Sequence, residues 1–315
     1  KGNRLEQFVG ILRRNAIRTL GIGLKDYPAE RSIYLGMMLG IKGELSNDDK
    51  ELFLRTGTLH LFAISGLHVG IIAVTLASLF TVLRVPRRAS VILGLVLLFT
   101  YVEVTGASPS AVRAFCMTAF FWAGKSLVRQ MPPFQALVAS ALTVLITSPT
   151  QLFSAGFQLS YTVVTGILLW GIPLFQFLRE GYYQRIPQKV RNQSTAHKFF
   201  NKLWELVIGT FCISFSATLS SAPLSILYFG ILAPFAVFLN MILVPMASLV
   251  IVSGLFSIIS SLLLLPSIST FFNHGPLFLI KLTNWGLELL VSLPNSYLEI
   301  SWWNPAAGIF TVLLF

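Results

Sequence analysis

Long apolar stretches recur along most of this chain and constrain its fold more than any other feature. Seven of them lie after residue 58, and each approaches the length of about 20 residues that a helix needs to cross a bilayer. Hydrophobic residues make up 55% of the chain and charged residues 11%, whereas soluble domains carry about 25% charge. The sequence therefore predicts an all-α membrane protein, a polytopic bundle of transmembrane helices.

The predicted spans follow one another with short connections, apart from one longer basic loop. They are 59–83, 89–105, 109–128, 134–149, 152–178, 204–229 and 234–265. Two further segments allow either assignment, because 270–293 contains the charged residues of an interfacial helix and 302–315 ends inside an apolar run. We therefore predict about 7 to 9 spans, accompanied by interfacial amphipathic helices.

The beginning of the chain differs in charge from the rest. Residues 1–57 hold ten of the 23 Lys and Arg residues and seven of the 12 acids. From Arg4 onward, apolar residues recur at helical spacing with arginines largely off that stripe, which is typical of a helix lying on a membrane surface. We predict an external or interfacial basic segment over 1–58 and a transmembrane domain over 59–315. Its basic patch consists of Arg13, Arg14 and Arg18, and an anionic partner such as lipid headgroups would suit it.

The distribution of Lys and Arg among the loops predicts the orientation. The loops after the first, third and fifth spans are basic, and 179–202 alone carries six Lys and Arg residues. The loops after the second, fourth and sixth spans carry none. Because basic loops stay in the cytoplasm, we place 179–202 there and residues 1–58 outside. The basic N-terminal segment opposes this rule, so it belongs to a larger translocated part or its arginines act at the outer face.

With this orientation, polar residues from separate segments share the outer half of the membrane. They are His60, Ser65, His68, Arg113, Gln158, Ser160 and Asn240. Since polar groups in lipid need partners or water, we expect them to line a polar vestibule. Neither metal-ligand spacing nor a phosphate-binding loop accompanies them, so we expect no metal and no cofactor.

Each of these residues also has a structural explanation. Arg113 suits an anion ligand or a salt bridge with Glu103, and the histidines suit hydrogen bonds between helices. Ser65 and His68 stand three residues apart, as a nucleophile and its base would on a helix, but no orienting acid is adjacent. Helix-packing positions are expected at Gly66, Gly70, Pro109, Pro234 and Pro245.

Four motifs give the chain a specific resemblance. "HLFAISGLHVG", "GASPSAVRAFCM", "SPTQLFSAGFQLSYTVVTGIL" and "LAPFAVFLNMILVPM" occur in this order within residues 30–250. In these motifs the chain resembles the ComEC family of competence proteins. The resemblance implies a competence domain in the bacterial inner membrane, which conducts single-stranded DNA into the cytoplasm during natural transformation. The seven polar residues of the outer half would then line the DNA path, with Arg113 as the main phosphate contact.

The same resemblance implies partners and missing parts. Family members commonly carry an OB-fold and a metallo-β-lactamase-like nuclease domain, and the sequence contains neither a β-rich segment nor an HxHxDH run. We therefore expect a fragment that is not itself an enzyme and has no catalytic residues. Expected partners are single-stranded DNA, the lipid bilayer, those two domains, a cytoplasmic helicase-like motor and external DNA-receptor proteins. The alternatives are a transporter of a smaller anion and, third, an intramembrane serine hydrolase.

Overall fold

The computed structural model describes residues 4–41, 51–53, 56–58, 64–126, 131–185, 195–232, 235–291 and 298–299. Its helices are α1 (Arg4–Leu20), α2 (Pro28–Leu39), α3 (Gly66–Val82), α4 (Arg87–Val104), α5 (Pro109–Ser126), α6 (Pro133–Thr147), α7 (Ala155–Gly166), α8 (Ile172–Arg185), α9 (Thr195–Phe229), α10 (Ala236–Leu262) and α11 (Pro266–Val291). Two-residue strands, β1 (Ile231–Leu232) and β2 (Leu298–Glu299), pair antiparallel. The prediction of an all-α fold is confirmed.

The predicted spans correspond closely to helices. Those at 89–105, 109–128 and 134–149 match α4, α5 and α6. The span predicted at 152–178 begins three residues before the continuous stretch from α7 to α8 and ends inside it. The span expected at 59–83 is described as a helix only from Gly66, because Ser65 is its N-cap and residues 59–63 lie outside the described residues. The segment 302–315 also lies outside them.

Length and composition single out the helices able to cross a membrane. Within the described part of the chain they are Ala155–Gln184, Lys198–Phe229 and Ala236–Leu262. The apolar helices Gly66–Val82 and Pro133–Thr147 are shorter. Large side chains such as Ile146, Phe177 and Leu249 are exposed, as expected for a surface in contact with lipid. The chain is thus a helical membrane protein, and the count of 7 to 9 spans stays a prediction.

The chain divides into two compact units. The first comprises Lys1–Leu152 and Leu243–Ser296, and the second comprises Phe153–Ile242 and Tyr297–Phe315. In the first unit, α3, α4 and α5 pack against one another and α5 also packs on α6. Every residue of α2 from Ser32 to Leu39 is buried, and α1 and α11 both pack against this helix.

Short polar side chains join helices within the first unit. The Ser257 hydroxyl lies 2.9 Å from that of Ser269, and the Ser253 hydroxyl donates to the Phe272 carbonyl at 2.6 Å. These contacts bond the second half of α10 to α11. Without a hydrophobic driving force between helices in lipid, such hydrogen bonds and close packing hold them together.

The second unit is organised by a close contact between α9 and the stretch from α7 to α8. A π-helical turn, Ile167–Gly171, joins α7 to α8. A Cβ built on Gly166 would collide with the Ser220 side chain, and one on Gly171 would lie 3.1 Å from the Ser216 hydroxyl. Only glycine permits backbones to approach this closely.

Candidate functional site

The N-terminus of α3 holds two of the predicted site residues in contact. Ser65 adopts an extended conformation (φ −119°, ψ 170°) and is the N-cap of the helix. Nδ1 of His68 lies 2.9 Å from the Ser65 hydroxyl oxygen and accepts the Ser65 backbone N–H at 3.4 Å. This is the reciprocal arrangement of a capping box, with histidine where glutamate or glutamine usually stands.

The capping geometry corrects one detail of the sequence analysis. Ser65 was expected inside a helical span, but it precedes the helix and satisfies backbone donors at its start. The His68 side chain is fully buried. Because Nδ1 of its imidazole accepts a hydrogen bond, the proton of the neutral ring lies on Nε2. The predicted contact between the two side chains is present, and capping accounts for it without catalysis.

A second contact fixes the start of α3 against α5. The Ser110 hydroxyl donates to the Ile64 carbonyl at 2.7 Å. A Cβ built on Gly66 would meet the Ala114 Cβ at 3.5 Å, an ordinary van der Waals distance, so Gly66 faces α5 and its packing role stays a prediction. No described atom lies within 4 Å of a Cβ built on Gly70, and its packing role stays a prediction.

Arg113 lies on α5, next to the alanine that faces Gly66. Its side chain is 2% exposed, although α5 begins only four residues earlier, at Pro109. The buried Ser140 of α6 donates to the Arg113 backbone carbonyl at 3.4 Å. Arginine remains charged in proteins, so this packed pair of helices encloses a positive charge.

The second unit contains the other described path residues. Ser154 caps α7, accepting the Phe157 N–H at 3.2 Å, and Gln158 follows in the first turn. The Tyr228 hydroxyl of α9 donates to the Gln158 carbonyl oxygen at 2.8 Å. Ser160 is half-buried beside it in sequence. The sequence analysis missed Tyr228, because no spacing rule connects residues 70 positions apart.

Asn240 and the predicted packing prolines occupy different environments. The Asn240 side-chain oxygen is buried, and the described residues offer it no hydrogen-bond partner. Pro109 is exposed at the first position of α5, where a missing N–H costs nothing, and Pro245 is exposed inside α10. His60 and Pro234 lie outside the described residues.

The basic patch lies on α1, the predicted amphipathic helix. Arg14 and Arg18 are exposed, and Arg13 is half-buried. The helix packs against α2, α4 and α11. The arrangement of these arginines fits an anionic partner, either DNA or lipid headgroups.

The structure therefore brings some predicted residues together and leaves others in separate units. Ser65 and His68 are in contact, and Arg113 shares their packed pair of helices. Gln158, Ser160 and Asn240 belong to the second unit, so a common vestibule stays a prediction. Among the described residues, no group of three His, Cys, Asp or Glu side chains is placed to hold a metal ion.

Comparison with known proteins identifies a family and several relatives of this chain. Residues 37–315 match the family described as "Competence protein". ComE operon protein 3 of Bacillus subtilis (strain 168) is 30% identical over 227 residues, covering 72% of this chain and 26% of that protein. The uncharacterized protein YcaI of Escherichia coli (strain K12) is 24% identical over 301 residues, covering 92% of this chain and 36% of YcaI. The chain thus spans about a quarter of the first relative and little more than a third of the second. No solved structure matches it.

Proposed function

Because the chain belongs to the competence protein family, we propose that it forms a membrane channel that conducts single-stranded DNA into the cytoplasm during natural transformation. The family membership supports a role in DNA uptake. The channel itself, its substrate strand and its lack of catalytic activity are part of the proposal. We further propose that it works with a cytoplasmic helicase-like motor, external DNA receptors, and OB-fold and nuclease domains of a longer protein.

The proposal places the chain in the inner membrane with about 7 to 9 spans. The basic loops support an orientation with 179–202 in the cytoplasm and 1–58 outside. Single-stranded DNA carries one negative charge per nucleotide and needs a hydrated path with few acids. After residue 57 the chain has only five acids, against 13 Lys and Arg residues.

The buried charge of Arg113 is the observation that carries the proposal. Charged residues inside membrane helices face a cavity or a partner and mark pathways for ions and other charged substrates. Arg113 lies at the outer end of α5 in the proposed orientation. This helix packs against α3, which carries His68. At 2% exposure, its side chain is closed to solvent in this structure. Conduction therefore requires α3 and α5 to move away from each other.

Ser65, His68, Gln158, Ser160, Asn240 and His60 are the other proposed path residues. Their hydroxyl, imidazole and amide groups would donate hydrogen bonds to phosphates or bases. A transporter of a smaller anion would use the same buried arginine. It differs in predicting saturable binding of a small ligand rather than contact with DNA at several helices.

The proposal is tested by DNA uptake in the full-length protein carrying Arg113→Ala, Arg113→Lys or His68→Ala, with membrane abundance measured in parallel. Arg179→Ala is the matched control, because the Arg179 side chain is 52% exposed and pairs with Glu205 at 2.8 Å. An exposed pair of this kind contributes at most about 1 kcal/mol. We expect normal uptake for the control, loss for Arg113→Ala at normal abundance, and partial recovery for Arg113→Lys.

Two results would contradict the proposal. Full uptake by Arg113→Ala would show that its charge is not needed, and loss of uptake only together with loss of protein would show a structural role. Cysteines introduced along α3, α5 and α7 distinguish the anion transporter. Incoming single-stranded DNA should protect them from a thiol reagent, whereas phosphate alone should not.

A further inference from the structure

Two phenylalanines near the start of α9 are exposed between lysines. Phe199 is 65% and Phe200 64% exposed, and their ring centroids lie 6.1 Å apart, edge to face. Lys198 and Lys202 are also exposed and lie one helical turn apart. We call Lys198, Phe199, Phe200 and Lys202 the α9 platform. Exposed apolar surface bordered by polar groups marks binding sites as well as membrane contacts, so the position of the bilayer decides between the two.

An ion pair marks the point where α8 and α9 leave the hydrocarbon core. Nε of Arg179 lies 2.8 Å from the Glu205 carboxylate, which also accepts the Tyr183 hydroxyl at 3.0 Å. Beyond Glu205, the charge-free stretch 206–229 is about 36 Å long as a helix, more than the roughly 30 Å of the core. The helix therefore crosses the bilayer without the residues of the α9 platform.

The distance from this ion pair places both rings beyond the acyl chains. Phe200 and Phe199 precede Glu205 by five and six residues, so they lie about 8–9 Å further along the helix axis. The polar headgroup layer adds only about 5–8 Å on each side of the core. Both rings thus stand at the outer edge of the headgroups, on the cytoplasmic side in the proposed orientation.

Contacts with α8 fix the direction in which the rings point. Asn201 is 9% exposed, and its side-chain oxygen accepts the Tyr182 hydroxyl at 3.1 Å. The Tyr182 ring also packs on Trp204, with the ring centroids 5.1 Å apart. Because residues two apart on a helix point about 160° away from each other, Phe199 faces away from α8. The pair of helices therefore holds the α9 platform in one orientation.

The charge around the α9 platform favours an anionic ligand. Residues 179–202 carry six Lys and Arg residues and a single acid, Glu180. Lysine ammonium groups bind phosphates, and aromatic rings stack on unpaired bases. Single-stranded nucleic acid presents phosphates and bases along one strand, whereas the apolar part of a phospholipid lies behind the ion pair, away from both rings. The interleaved lysines and phenylalanines thus fit a single strand better than a lipid surface.

We propose that the α9 platform binds single-stranded DNA on the cytoplasmic side of the membrane. Bases stack on Phe199 and Phe200, and phosphates pair with Lys198 and Lys202. The biological role rests on the proposed function, since this is where the incoming strand would be held after it leaves the membrane. The binding itself can be measured without transport. Arg179 is not part of the platform, because Glu205 already pairs with it.

The test measures the Kd of a fluorescein-labelled oligothymidylate for the full chain in nanodiscs of neutral phosphatidylcholine. Replacing both phenylalanines by leucine keeps an apolar surface but removes the rings, and we expect a Kd weaker by about 5- to 150-fold for each stacked base. Replacing both by tyrosine keeps the rings and should preserve most of the affinity. Phe177→Leu is the matched control, because Phe177 is 74% exposed on α8 but lies on the membrane side of Arg179.

The lysines provide a second readout through salt dependence. Each phosphate neutralised on a single strand contributes about 0.7 to the slope of log Kd against log salt concentration. The double variant Lys198→Gln and Lys202→Gln should therefore lower this slope by about 1.4. The double leucine variant should weaken binding with the slope unchanged, because its rings carry no charge.

Three results would overturn the proposal. Equal Kd values for the double leucine and double tyrosine variants would mean that no base stacks on these rings. An equal loss in Phe177→Leu would mean a general effect of apolar surface. Binding to phosphatidylglycerol vesicles that the leucine variant loses, while it keeps oligothymidylate binding, would mean a lipid anchor.

Two further measurements keep the outcome clear. If the variants do not fold, ultraviolet crosslinking of a bromodeoxyuridine oligonucleotide to the native chain should label the peptide containing Phe199 and Phe200, and labelling only elsewhere would contradict the proposal. Loss of DNA uptake in Arg113→Ala with unchanged oligothymidylate binding by the leucine variant would overturn the α9 platform and leave the proposed function intact. Binding at the platform with full uptake by Arg113→Ala would do the reverse.

Discussion

Asn273 holds the end of α1 through the backbone of Thr19, 254 positions away in the chain. Its side-chain N–H groups donate to the Thr19 carbonyl at 2.8 Å and to the Ile22 carbonyl at 3.1 Å. Its side-chain oxygen accepts the Tyr34 hydroxyl at 3.4 Å. A single fully buried amide thus links α1, α2 and α11 and satisfies carbonyls that the end of a helix leaves open.

Asn273→Ala should detach α1 from the first unit. Each of the two donated hydrogen bonds contributes about 0.5–1.5 kcal/mol, so we expect a lower unfolding temperature in detergent and faster cleavage by trypsin after Arg18. Asn284→Ala is the matched control on the same helix, because the described residues give the Asn284 side-chain oxygen no hydrogen-bond partner. Equal stability of the two variants would contradict the linking role of Asn273.

Tyr34 should make the fold less stable at alkaline pH. Burial raises the pKa of its phenol, so the folded protein keeps this group protonated. In the unfolded chain the group ionises near its ordinary pKa of about 10, and ionisation there favours unfolding. Stability should therefore fall as pH rises above about 10, and the fall should be smaller in Tyr34→Phe. The measurement is the unfolding temperature of both proteins between pH 8 and pH 11.

Gly166→Ala should disrupt the contact between α7 and α9. The added methyl group would collide with the Ser220 side chain, and overpacking of this kind costs about 1–3 kcal/mol. Ser220→Gly should restore part of the lost stability, which a double-mutant cycle measures. Gly181→Ala in α8 is the control, since no described atom lies within 4 Å of a Cβ there. An equal effect of both alanines would mean that helix propensity, not contact, determines the outcome.

The N-terminal cap of α3 predicts that substitutions of Ser65 and His68 differ in their cost to stability. Ser65→Ala removes the capping oxygen and should cost about 0.5–2 kcal/mol. His68→Gln retains a side-chain acceptor at the third helical position and should keep most of the stability. Unfolding in detergent measures both. If His68→Gln is stable but abolishes DNA uptake, the imidazole serves the path as well as the cap.

Helix positions could be predicted from the sequence because apolar runs and prolines mark them locally. Predicted 109–128 and 134–149 differ from α5 and α6 by at most two residues at either end. The start of α3 was misplaced because "HLFAIS" is as apolar as the helix that follows it, and only the cap of Ser65 separates them. Apolarity alone does not reveal where a backbone changes conformation.

Contacts between distant residues could not be predicted in the same way. Arg113 was identified, since an arginine in an apolar helix is conspicuous, and its burial follows from α3, α5 and α6. Asn273 was not, because asparagine in a charged amphipathic segment is unremarkable until α1 is placed beside it. The pairing of Tyr228 with Gln158 likewise depends on the contact of α9 with α7.

The π-helical turn between α7 and α8 fixes the number of residues that this part of the chain can contain. In a regular α-helix, residues five apart point about 140° away from each other, yet Gly166 and Gly171 both face α9. The turn contributes one residue more than an α-helical path would need. Removing that residue would rotate all of α8 by about 100° about its axis and turn Arg179 away from Glu205. Homologous chains that keep both contacts must therefore conserve the length of this segment, even where its sequence changes.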